Sequence, residues 1–260
     1  MKRMMKIFVT AFIVTSCEKE INVDLNSAPP QVIIEGIVTN EAGPYQVQIS
    51  KSVIFSAANS YPAVSGASVV ITDRTGSITD TLLEGPAGTY KTRLIQGIPG
   101  HSYDLFVNSE GETYRASSTM PLPVPFDSIT FRHSSGGIGG ENGINAIPNF
   151  QDPPGIPNYY TFNATVNSRI LKTTFVFGDR LSDGRYITQQ LFMDSAYIQA
   201  GNVVSIKMHC VDKDVWNYFN TIQGEGFGSP APANPISNIT NNALGYFSAH
   251  TVQTKTAVAY

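Results

Sequence analysis

Tyr45-Gln46-Val47-Gln48-Ile49-Ser50 alternates apolar and polar side chains. Successive side chains of an extended chain point to opposite faces, so Tyr45, Val47 and Ile49 share one face and Gln46, Gln48 and Ser50 the other. One apolar and one polar face define a half-buried antiparallel strand. The pattern recurs on both sides. Upstream, Val32 and Ile34 alternate with Ile33 and Glu35 up to Val38, and Thr39-Asn40-Glu41-Ala42-Gly43-Pro44 supplies a turn. Downstream of a long loop from Ser52 to Gly66, Ala67, Val69 and Ile71 resume it before the turn Asp73-Arg74-Thr75-Gly76. Tyr103, Leu105 and Val107 form another inward set before Asn108-Ser109-Glu110-Gly111-Glu112 turns into Thr113-Tyr114-Arg115-Ala116. About six short strands at this spacing predict a β-sandwich over residues 31–120.

Gly66-Ala67-Ser68-Val69-Val70-Ile71-Thr72-Asp73, Gly88-Thr89-Tyr90 and Pro99-Gly100-His101-Ser102-Tyr103-Asp104-Leu105 together resemble transthyretin-like or Ig-like modules of secreted proteins. Pro121, Pro123 and Pro125 stiffen residues 121–126 into an extended connection, and residues 127–260 read as a second β-rich unit. There Tyr160, Phe162, Ala164 and Val166 form one inward face, and Val204, Ile206, Met208 and Cys210 another. Phe175 and Phe177 lie between them, and Ser182-Asp183-Gly184-Arg185 carries a hairpin signal. His133 to Asn158 lacks periodicity and is dense in Gly, Pro and Asn, which predicts a long loop. One short helix follows the Val204–Cys210 strand. Asp212 or Asp214 caps it, Val215, Phe219 and Ile222 share its buried face, Trp216 lies beside that face, and Gly224 ends it. Gly224 to Asn242 reads as loop, and alternation from Val252 to Tyr260 predicts a closing strand. The fold class expected is therefore mainly β: a sandwich followed by a second β-rich unit with one short helix.

Residues 1–16 read as a leader. Lys2, Arg3 and Lys6 precede the apolar run Ile7–Val14, which is far shorter than the roughly 20 residues that span a bilayer. Val14-Thr15-Ser16-Cys17 resembles the bacterial lipobox, which implies acylation of Cys17 as the mature N-terminus. An ordinary cleaved leader that contains a cysteine is the alternative. Residues 17–30 then form a polar tether. Its Glu18-Lys19-Glu20 resembles the surface-export signals of Bacteroidota lipoproteins, and reads equally as a solvated tether without an export role. Charged residues make up only 14% of the chain against the roughly 25% that is usual. The net charge is -3 with no basic run outside the leader, which argues against nucleic acid. With Cys17 lipidated, Cys210 has no partner and disulfides contribute nothing.

No catalytic or cofactor motif emerges. His101, His133, His209 and His250 make no close metal-ligand spacing, and His209 and Cys210 point to opposite strand faces. Cys210 reads as a small core residue. Gly136-Gly137-Ile138-Gly139-Gly140-Glu141-Asn142-Gly143 breaks the dinucleotide spacing and opens no helix. Asp179 and Asp183 near Gly184 are too few, and wrongly spaced, for an EF-hand loop.

Cys17-Glu18-Lys19-Glu20-Ile21, Val32-Ile33-Ile34-Glu35-Gly36, Val64-Ser65-Gly66-Ala67-Ser68-Val69, Met120-Pro121-Leu122-Pro123-Val124-Pro125-Phe126-Asp127-Ser128-Ile129 and Asn234-Pro235-Ile236-Ser237-Asn238-Ile239-Thr240-Asn241-Asn242-Ala243-Leu244-Gly245-Tyr246-Phe247 resemble the DUF4249 family of Bacteroidota lipoproteins. The resemblance implies a lipid-anchored outer-membrane protein, often encoded near TonB-dependent transporters, and implies no established reaction. The expected function is a non-catalytic binding or accessory component of nutrient uptake, without cofactor or metal. A surface adhesion or assembly protein is one alternative, and a hydrolase with a site assembled across the fold another. Loops at the sandwich ends are the expected binding surface, with Phe150, Tyr159, Tyr160, Phe227, Tyr246 and Phe247 as its candidate residues.

Overall fold

The computed structural model describes residues 29–53, 61–134, 143–191, 198–224 and 234–260. The expected leader, Cys17 with most of the expected tether, and Phe227 lie outside them. The fold is mainly β, as the alternation requires. One eight-stranded sheet runs in spatial order β12 (Arg169–Gly178), β11 (Tyr159–Val166), β14 (Val203–Val211), β15 (Leu244–Val258), β1 (Val32–Thr39), β2 (Gln46–Lys51), β6 (Thr89–Lys91) and β5 (Leu83–Glu84). A four-stranded sheet of β4 (Ile78–Thr81), β3 (Ser68–Asp73), β7 (Ser102–Ser109) and β8 (Glu112–Thr119) accompanies its N-terminal half. A three-stranded sheet of β13 (Tyr186–Thr188), β10 (Gly143–Gln151) and β9 (Phe126–Ser134) accompanies the other half.

Two cores result, and β15 belongs to both. Its first half, Leu244 to His250, pairs in parallel with β1, while Thr251 to Val258 pair antiparallel with β14. Phe247 and Ala249 therefore join Ile34, Val47, Ile71, Tyr103 and Leu105 in the first core, together with Ile239 and Ala243. The second core gathers Phe150, Tyr160, Phe162, Ile206, Met208 and Cys210, the last a buried free thiol. The proline-spaced connection runs between them: Met120 packs in the first core, and Val124 and Phe126 in the second. Gln253 of β15 holds it there. Its Nε2 donates to the Val124 carbonyl, and its Oε1 accepts the Phe126 N–H at 3.1 Å.

Three expectations need correction. The stretch from His133 to Asn158 is not a continuous loop, because β9 runs on to Ser134 and β10 pairs along it. Every residue from Gly143 to Phe150 is buried, so the strand has no polar face for alternation to mark. The turn at Ser182–Arg185 does form, with Gly184 at a φ of +69°, but it closes no hairpin. It carries the chain from β12 in the large sheet to β13 in the small one. Ile222 is 44% exposed rather than part of the buried helix face, since the packing concentrates on Val215 and on Tyr218 and Phe219 against Tyr246.

The helix, α1 (Lys213–Gly224), is capped by Asp212. Asp212 Oδ1 accepts the Val215 N–H at 2.9 Å, which satisfies a first-turn donor that the helix cannot. Its Oδ2 accepts the Ser118 hydroxyl and the Thr119 N–H, so the cap also ties α1 to β8. Burial pushes the Asp212 carboxyl above the usual carboxylate range, against those hydrogen bonds. Among the described residues no helix is long and apolar enough to cross a membrane.

Candidate functional site

A cleft of about 1110 Å³ opens where β11 begins, β12 ends and α1 starts. Tyr159 and Trp216 form one wall, their rings 5.5 Å apart and tilted by 45°. The indole lies over Gly178, where an added Cβ would only just touch it, at 3.5 Å. Its Nε1–H is buried without a hydrogen-bond partner among the described residues. Phe177 forms part of the lining and is anchored behind by Tyr160 and Phe150, at 6.1 and 6.4 Å between ring centroids. Tyr186 and Ile187 of β13 close another side. Arg180, Arg185 and Lys213 line the same space, and none makes an ion pair with another described residue.

The rim consists of two loops, 152–158 and 179–185, which three carboxylates brace reciprocally. Asp152 Oδ2 accepts the Gly184 N–H at 3.0 Å, and Asp179 Oδ2 accepts the Asn158 N–H at 2.7 Å. Asp183 Oδ1 accepts the Gly155 N–H at 2.8 Å. The backbone adds Asp152 N–H to Arg185 O and Asp179 N–H to Asn158 O. Asp152 is fully buried, and the Tyr160 hydroxyl donates to its Oδ1 at 2.5 Å. Burial raises the Asp152 carboxyl above its ordinary range, and the charges of Asp179 and Asp183 push it the same way. Burial and the neighbouring Asp152 likewise push the Tyr160 phenol up.

Ligand atoms of the three carboxylates lie within 4.8 Å of one another, an all-oxygen set of the kind hard cations take. Each carboxylate already accepts a backbone N–H from the opposite loop, and that bracing accounts for the cluster. Sequence spacing paired only Asp179 with Asp183. Asp152 comes from beyond β11 and β12, and only the fold brings it in.

The structure separates the residues expected to bind. Tyr159 lines the cleft. Phe150 and Tyr160 are fully buried in the second core and Phe247 in the first, so they offer no surface to a ligand. Tyr160 falls on the inward face that the alternation assigns it, whereas Phe150 and Phe247 sit in stretches whose polar residues are buried too, so alternation marks no open face there. Tyr246 is half-buried beneath α1, its ring 4.9 Å from that of Tyr218. Cys17 and Phe227 lie outside the described residues. Trp216, Arg180, Arg185 and Lys213 were not expected at the site; the one signal pointing there was the turn around Gly184.

A second polar cluster occupies the face of the large sheet opposite the second core. His209 and His250, unrelated by spacing, stack with centroids 4.9 Å apart. Ser248 Oγ lies 2.8 Å from His250 Nδ1, and Thr161 Oγ1 lies 3.3 Å from His209 Nδ1. Burial, with help from Lys207, depresses His209 to about 4. Burial, His209 and Lys207 hold His250 well below the ordinary value. A histidine depressed on folding binds protons more weakly folded than unfolded. Stability is then complete above the unfolded pKa of 6.5 and falls as pH drops toward about 4, by on the order of 3 kcal/mol for His209 alone. Urea midpoints measured across that window should fall for the native chain and stay flatter for a His209→Gln, His250→Gln double variant. Parallel curves would show that the pair does not carry the effect.

No curated protein matches the chain. A family model described as a domain of unknown function, DUF4249, matches residues 18–256. The chain belongs to the DUF4249 family.

Proposed function

We propose that the protein is an outer-membrane lipoprotein, anchored through Cys17, that binds a small ligand in the cleft beside α1. It delivers or presents that ligand to a TonB-dependent transporter during nutrient uptake. The observation that carries the reading is the cleft itself: concave, aromatic-walled, and rimmed by loops that carboxylates hold in place. Ligand sites are concave and mainly apolar with a few placed polar groups, and a braced rim lowers the ordering cost of binding. The reading is non-catalytic, and what supports it is that the lining carboxylates Asp179 and Asp183 each brace the opposite loop by accepting a backbone N–H. Buried acyl carbon contributes about 0.8 kcal/mol per CH2, so a multiply acylated Cys17 anchors stably.

Replacing Cys17 with Ser should move the protein from the membrane pellet to the soluble fraction on cell fractionation; retention of the variant in the pellet would overturn the anchor. Crosslinking in intact outer membranes should then recover a TonB-dependent transporter with the native protein. Recovery of the protein alone counts against the uptake role.

A further inference from the structure

We infer that the cleft takes a small molecule carrying both a flat apolar ring face and an acidic group. The inference rests on the ligand-binding reading above and names the chemistry of the same site. The ring face follows from the wall. Tyr159 and Trp216 present two adjacent aromatic surfaces, and Trp216 is the one tryptophan in the chain. Its indole N–H is turned away from solvent and has no partner among the described residues, so the wall offers ring surface rather than a hydrogen-bond donor. Aromatic side chains of this kind favour offset or tilted contact with another ring.

The acidic group follows from the charges. Arg180, Arg185 and Lys213 line the cleft, are exposed, and make no ion pair with a described residue. The two lining carboxylates, Asp183 and Asp179, each spend one oxygen on a backbone N–H of the opposite loop, and neither forms an ion pair with a lining cation among the described residues. A chain of net charge -3 thus sets three cations against two carboxylates around one apolar space, a local excess of positive charge. Arginine forks match carboxylate, sulfonate or phosphate oxygens, and a low-dielectric wall beside them strengthens the attraction.

Two dyes with nearly the same rings separate the parts of this inference. 1-Anilinonaphthalene-8-sulfonate carries an anion, and N-phenyl-1-naphthylamine does not. Titrated into the mature chain, both should quench Trp216 fluorescence. The sulfonate should bind about tenfold more tightly at low salt, with the advantage shrinking as salt rises. The triple variant Arg180→Gln, Arg185→Gln, Lys213→Gln should erase that advantage and leave the neutral dye unchanged, while Tyr159→Ala weakens both. These are exposed side chains, so an unchanged thermal midpoint verifies that the triple variant is folded. Equal affinity for the two dyes, or a sulfonate advantage that survives the triple variant, overturns the acidic-ligand inference and leaves the cleft as a neutral-ligand site. If neither dye quenches Trp216, the ligand-binding reading itself falls.

Discussion

Replacing Gly245 with Ala should destabilise the protein by at least about 4 kcal/mol, or prevent folding altogether. Gly245 has a φ of +90°, a region that L side chains rarely adopt. It also faces Ile34 in the parallel pairing of β1 with β15. A Cβ there would lie 2.9 Å from the Ile34 carbonyl carbon and 3.1 Å from its nitrogen, and closer still to the carbonyl oxygen. Those are backbone atoms inside a sheet, so no side chain can rotate away to relieve the overlap. Relief requires β15 to shift from β1, and β15 is the strand through which the two cores share one sheet. Gly111→Ala is the control, since it also has positive φ, at +83°, but nothing within 4 Å of an added Cβ. It should cost only about 1 kcal/mol. Urea unfolding of both variants reads the difference; similar losses would mean that backbone conformation, and not the β1–β15 contact, sets the cost.

How much of this was legible in the sequence follows from which faces are wet. Tyr45, Val47 and Ile49, or Val204 to Cys210, sit on strands with one polar face, so alternation announces them. Strand β10 is buried from Gly143 to Phe150 on both faces, and its apolar, Pro- and Asn-containing run looks like a loop. The closing strand was visible only from Val252, because the buried Ser248, His250 and Thr251 interrupt an apolar pattern further upstream. The family and the mainly β class were readable from local motifs. The cleft was not, because its parts are far apart in the chain and converge only in three dimensions. Asp152 and Asp179 stand on opposite sides of the β11–β12 hairpin, and Trp216 arrives on the helix after β14. Likewise His209 and His250 look independent until β14 and β15 lie side by side.

The cleft's own stability should depend most on Asp152. Its replacement by Ala leaves the Tyr160 hydroxyl and the Gly184 N–H without their acceptor, and both donors are buried or half-buried. Hydrogen bonds to a charged acceptor contribute about 1.5–3 kcal/mol each, so a loss of about 3–5 kcal/mol is expected, trimmed by relief of repulsion from Asp179 and Asp183. Asp152→Asn keeps the shape and one acceptor, so it should lose roughly half as much. Tyr160→Phe in each background completes a double-mutant cycle, and the coupling between the two side chains should exceed about 1 kcal/mol. The proton balance gives an independent reading. Burial raises Asp152 above its ordinary value of 3.8, so between that value and the raised one the folded chain binds the proton more fully than the unfolded chain does. The Asp152 contribution is complete below the ordinary value and is lost as pH rises through the raised pKa, opposite in sign to the histidine pair. Relative to Asp152→Asn, the native chain should therefore lose stability as pH climbs above about 4, a difference that cancels the histidine effect common to both. A bracing role also predicts that Asp152→Ala loosens dye binding at Trp216 even where the variant remains folded. Native-like dye affinity in a folded Asp152→Ala protein would mean that the two loops hold their places without the carboxylate.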